Sequence, residues 1–119
     1  MNQRPAPEDM PTEATLLAWV ASAQTGAGTP WLPARHAEAL ARFALMRGMG
    51  VRLMEAAAMI LHEPPRDIGW EILGADDPGD NWEDHRDPQR AFALFRHKLA
   101  LARNEGARLQ YKLWLGRAA

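Results

Sequence analysis

The stretch Gly48-Met-Gly-Val-Arg-Leu-Met-Glu-Ala-Ala-Ala-Met-Ile-Leu-His62 decides how the rest of the chain is read. Val51, Met54, Ala58 and Leu61 recur at the intervals that bring side chains onto one face of a helix. The three alanines Ala56–Ala58 have the best intrinsic helix propensity of any residue type. The spacing therefore predicts a helix over 51–62. Gly48 and Gly50 break the chain before it, and Pro64-Pro65 stops it, because proline lacks the amide donor a helix needs.

Upstream, Thr12 is a cap for a first helix over 12–24, with Leu16, Trp19, Val20 and Ala23 on one side. A second helix is expected over 30–47, started by Pro30 or Pro33 and turning Leu40, Phe43 and Ala44 inward. Residues 1–11 hold three prolines and no apolar period, so they read as a flexible tail. Downstream, Ile68, Trp70 and Ile72 alternate as in a strand. No partner strand is visible, and a short helix over 67–73 is the expectation. Residues 75–87 form an irregular acidic loop. Asp87-Pro88 then caps and opens a last helix over 88–115, with Phe92, Phe95, Leu99, Ala102, Leu109 and Leu113 on its main stripe. Leu94, Leu101 and Leu115 form a second stripe, more apolar surface than one docking face requires. The whole predicts an all-α bundle of four main helices in a single domain, with one short element and an acidic loop.

Composition narrows the chemistry. At 119 residues the chain can bury a core without staples, and it contains no cysteine, which excludes disulfides, thiolate metal sites and cysteine nucleophiles. Ser22 is the one serine and has no Gly-x-Ser-x-Gly elbow around it. Gly48-Met-Gly50 lacks the third glycine of a dinucleotide loop. No histidine has another ligand three or four residues before it, so helical metal motifs are missing. Asp80, Glu83, Asp84, His85 and Asp87 fail the calcium-loop spacing and read as a solvated loop. His62-Glu63 suits capping at a helix end better than acid–base work. These readings predict no catalytic residue, no cofactor and no metal. No apolar run is long enough to span a bilayer, and the opening residues lack a signal-peptide core, so a cytoplasmic protein is expected. Twelve arginines to two lysines, with abundant alanine, suggest a GC-rich bacterial genome.

Charge and large apolar residues supply the functional candidates. Residues 63–87 carry nine acids against Arg66 and Arg86, a net −7, while residues 88–119 carry seven bases against Glu105, a net +6. Such segregation signals either an acidic partner or pairing within the fold. Methionine and tryptophan are the residues that adaptable interfaces favour. The first expectation is a small interaction or assembly subunit that docks on a larger protein, or on itself, through Met49, Met59, Trp82, Leu94, Leu101 and Leu115. For Trp82 the alternative is that it tucks back onto the domain. The second expectation is an accessory nucleic-acid-binding protein using Arg90, Arg96, Arg103, Arg108 and Lys112 for phosphate contacts. On one continuous helix these bases divide between opposite sides. A helix-turn-helix over 30–62 is disfavoured, because Val51–His62 has almost nothing to read base edges.

Overall fold

Met49–Ala58, read above as a helix, is the central strand of a sheet in the computed structural model of the protein, which describes residues 10–58, 66–73, 80–103 and 108–118. The fold is therefore α+β and not all-α. Helix α1 spans Glu13–Ala23 and α2 spans Ala34–Met46. Strand β1 spans Met49–Ala58 and β2 spans Arg66–Leu73. A single turn, α3 (Trp82–His85), precedes α4 (Pro88–Arg103), and strand β3 (Leu109–Arg117) closes the chain. The last helix thus ends at Arg103, and the residues that would have continued it form the second flank of the sheet. Met59, the pair His62-Glu63, Asp76 and Asp77 and residues 1–9 lie outside the described residues.

The strand order is β2-β1-β3, antiparallel throughout. Between β1 and β3 the register runs Met49 opposite Arg117, Val51 opposite Leu115, Met54 opposite Leu113 and Ala56 opposite Tyr111. An irregularity between Val51 and Leu53 inserts Arg52 as an extra residue, and β1 resumes its alternation one position later. Met49 and Val51 before the bulge, and Met54 and Ala56 after it, all reach the core, together with Tyr111, Leu113 and Leu115 of β3 and Leu73 of β2. That shift of parity hides the strand, because the apolar positions 51, 54 and 58 then imitate a helical interval. The 67–73 segment is likewise a strand, and the partner it lacked in the sequence is β1.

Helices α2 and α4 pack side by side on β1, α2 reaching also to β3 and α4 to β2, while α1 lies against α2 and β3. Ala37, Leu40, Ala41 and Ala44 of α2 and Phe95, Leu99 and Ala102 of α4 are buried in the common core. Thr12 caps α1 through a hydrogen bond from the Thr15 amide, 3.2 Å. Gly48, at φ +75°, turns the chain from α2 into β1 in the left-handed conformation glycine tolerates. The outer edge of β3 is covered by the segment before α2. Leu32 and Tyr111 exchange backbone hydrogen bonds of 2.7 Å, and the Thr29 amide donates to the Leu113 carbonyl at 3.1 Å. The buried Thr29 hydroxyl accepts from the Leu113 amide and donates to the Pro30 carbonyl, so neither group is left unpaired.

Trp82 seals one end of the sheet. Gly50 and Gly116 are opposite one another in the β1–β3 ladder, and the Trp82 indole lies where a side chain on either would stand. Gly26, whose carbonyl receives the Trp114 indole N–H, has open space around it. Gly116→Ala is expected to cost about 1–3 kcal/mol through overpacking against Trp82. Gly26→Ala is expected to stay within about 0.5 kcal/mol of the parent. Urea titrations followed by tryptophan fluorescence check both, and equal stability of the two variants would remove Trp82 as the seal.

Candidate functional site

The contacts between α2 and α4 define their relative direction. Glu38 lies by Arg96 and Arg42 lies by Phe92, so rising numbers on one helix meet falling numbers on the other and the pair is antiparallel. The spacing Arg35-x-x-Glu38-x-x-x-Arg42 keeps these side chains within reach along α2. Phe92 and Arg96, four apart, do the same on α4. Glu38 Oε2 accepts from Arg42 Nη2 at 3.1 Å and stands 3.8 Å from Arg96 Nε. The Arg42 guanidinium carbon sits 5.2 Å from the Phe92 ring centroid and that of Arg96 sits 6.0 Å from it. Arg47 rests on Phe43 in the same way, at 4.8 Å.

Two guanidiniums therefore share one aromatic ring and one carboxylate. Their side chains are 55% and 58% exposed, so each keeps donors facing water. The ring faces attract the cations and limit where they can go. Residues 34–47 and 88–103 together carry seven bases, Arg35, Arg42, Arg47, Arg90, Arg96, Lys98 and Arg103, and one acid, Glu38. Such a layer attracts anions, and arginine's planar fork suits phosphate or carboxylate oxygens.

The residues singled out from the sequence are dispersed. Met49, Trp82 and Leu115 are buried in the fold and offer no outer contact surface. Leu94 is half-buried against the core, and Leu101 is 51% exposed on α4. Of the basic set, Arg90, Arg96 and Arg103 belong to α4. Arg108 precedes β3, and Lys112 lies on β3 with its ammonium 5.0 Å from the Trp31 ring centroid. One basic helix running to Leu115 does not exist, and its bases divide between a helical layer and a strand. Arg35 and Arg42 of α2, Arg47 at its C-terminal cap and the ring of Phe92 were missed. The signal for α2 was its own spacing of bases, but nothing in the sequence set α4 beside it.

Asp80, Glu83 and Asp87, before or at the start of α4, are engaged locally. Asn81 caps α3 through the Glu83 amide at 2.9 Å, and Glu83 pairs with Arg86 at 2.8 Å. Asp87 Oδ1 accepts from the amides of Gln89 and Arg90 at 3.0 and 3.4 Å, capping α4. The Asp87 amide donates to His85 Nδ1 at 2.8 Å. Asp80 holds Arg90 at 3.0 Å. Among the described residues no three histidines or carboxylates stand together as a metal site, and no helix is long and apolar enough to cross a membrane.

A double-mutant cycle on Arg42→Ala and Phe92→Leu, read by urea titration, is expected to show a coupling of about 0.5–1 kcal/mol. Additive effects would mean that the ring does not hold the guanidinium.

Comparison of the chain with known protein families, with curated proteins and with solved structures gives no match in any of the three.

Proposed function

We propose that the protein is an accessory nucleic-acid-binding protein that contacts phosphates through the outer face of α2 and α4, without reading base sequence. The observation that carries this reading is the pair Arg42 and Arg96, held on Phe92 and sharing the one acid of the layer. Exposed ion pairs stabilise a fold by only about 0–1 kcal/mol, so stability gives little reason to gather six bases on two adjacent helices. A polyanion does give one, because neutralising phosphates releases condensed counterions. Guanidiniums already steadied by a ring lose less freedom when they bind. The reading involves no catalytic step and no cofactor, and it implies a cytoplasmic protein.

Docking on a protein through apolar side chains has weaker support. Of Leu94, Leu101 and Leu115, which gave the last helix its surplus of apolar surface, Leu115 lies buried in β3. Met46, 81% exposed at the end of α2, and Leu101, near the end of α4, fall at opposite ends of the antiparallel pair and do not make one patch.

Fluorescence anisotropy with labelled single- and double-stranded DNA and RNA, over a series of salt concentrations, tests the proposal. Binding is expected to weaken steeply with salt. Replacing both Arg42 and Arg96 by alanine is expected to lower the magnitude of the log–log slope by about 2 on duplex DNA, roughly 0.9 per lost phosphate contact. No binding at low salt, or an unchanged slope in a double variant that melts like the parent, would overturn it.

A further inference from the structure

One base of the helical layer already holds an anion from the chain itself. Asp80 Oδ1 accepts from Arg90 Nε at 3.2 Å and from Arg90 Nη2 at 3.0 Å, a side-on grip on one oxygen that a phosphate oxygen would also take. Asp80 stands two residues before Trp82, the buried indole fixed on Gly50 and Gly116. The Asp80 carboxylate is thereby tethered near Arg90 at a high effective concentration. The pair is also open to solvent, with Asp80 44% and Arg90 50% exposed, so it is weak enough to exchange. The described residues 80–87 carry Asp80, Glu83, Asp84 and Asp87 against Arg86, a net negative charge beside Arg90.

We propose that Asp80 is an intramolecular competitor for the nucleic acid, occupying Arg90 until a phosphate displaces it. The proposal rests on the reading of α2 and α4 as a phosphate-binding layer. In the middle of the layer two arginines share one carboxylate, whereas at the start of α4 Arg90 is held by a carboxylate of its own. Binding then begins at Arg42 and Arg96 and extends to Arg90 only against the competitor. Weak ligands are filtered out, and a continuous polyanion is favoured over isolated anions.

The test compares Asp80→Asn with Asp84→Asn. Both remove one negative charge from the same short region, but Asp84 is exposed in α3 and makes no ion pair with Arg90. Affinity for a labelled single-stranded DNA oligonucleotide at low salt is expected to rise about threefold to fivefold in Asp80→Asn, the range set by the strength of an exposed ion pair. It is expected to change less than about twofold in Asp84→Asn, since only the general field changes there. In an Arg90→Ala background the gain from Asp80→Asn is expected to vanish. Equal gains in the two variants, or a gain that persists without Arg90, would show a general charge effect and overturn the competitor. Parent binding with no gain in Asp80→Asn would overturn it while leaving the phosphate-binding layer standing. Failure of the parent and both variants to bind would remove the layer and the competitor together.

Discussion

The double pairing of β1 is the constraint on which the rest of the molecule depends. Among the described strands β1 alone has a strand on each side, and without it β2 and β3 have no common neighbour. Helices of eleven to sixteen residues are marginal alone in water, so α1, α2 and α4 need an apolar surface to form against. Val51, Met54 and Ala56, with Leu113, Leu115 and Tyr111, supply it. Each large side chain among them stabilises the fold by roughly 1.5–3 kcal/mol as an upper estimate from buried area. Ala56 and Ala57, both fully buried, give little area of their own, and their small size leaves room for close neighbours.

The signals legible in the sequence were those of local chemistry. Thr12 before an acidic first turn, Gly48 at a left-handed turn and Asp87-Pro88 at a helix start each act within a few residues, and each lies at an element boundary. The sheet depended on long-range pairing. The bulge at Arg52 converted the alternation of β1 into a helical interval, and its alanines favoured helix intrinsically. That single misreading propagated. With β1 taken as a helix, the alternation of Ile68, Trp70 and Ile72 had no partner. Leu109, Tyr111, Leu113 and Leu115 alternate cleanly, yet Leu109 and Leu113 are also four apart, so they were absorbed into the stripe of the preceding helix.

The candidate site was legible in charge but not in place. The excess of bases after residue 88 is plain in the sequence. The partners are not, because Glu38 with Arg96 and Arg42 with Phe92 join segments separated by two strands of the sheet. Trp82 illustrates the same limit. Composition allowed either an exposed anchor for a partner or a residue folded onto the domain. Only the register that sets Gly50 against Gly116 leaves a space for its indole, and that register follows from β1.

Segregated charge admits two readings, pairing within the fold and attraction to an external polyanion, and the two divide along α4. At its start, Arg86 is matched by Glu83 and Arg90 by Asp80. Six residues further along, Arg96 shares Glu38 with Arg42, which leaves a positive excess there. At physiological salt, screening acts over about 8 Å, so charges at the start of the helix are damped before they reach its middle. Neutralisation at one end therefore does not cancel the potential at the other. Folding alone would be served equally well by a neutral or evenly paired surface on these helices. The uneven pairing leaves an excess where Phe92 steadies two guanidiniums, and that is why the proposed phosphate contacts are placed there.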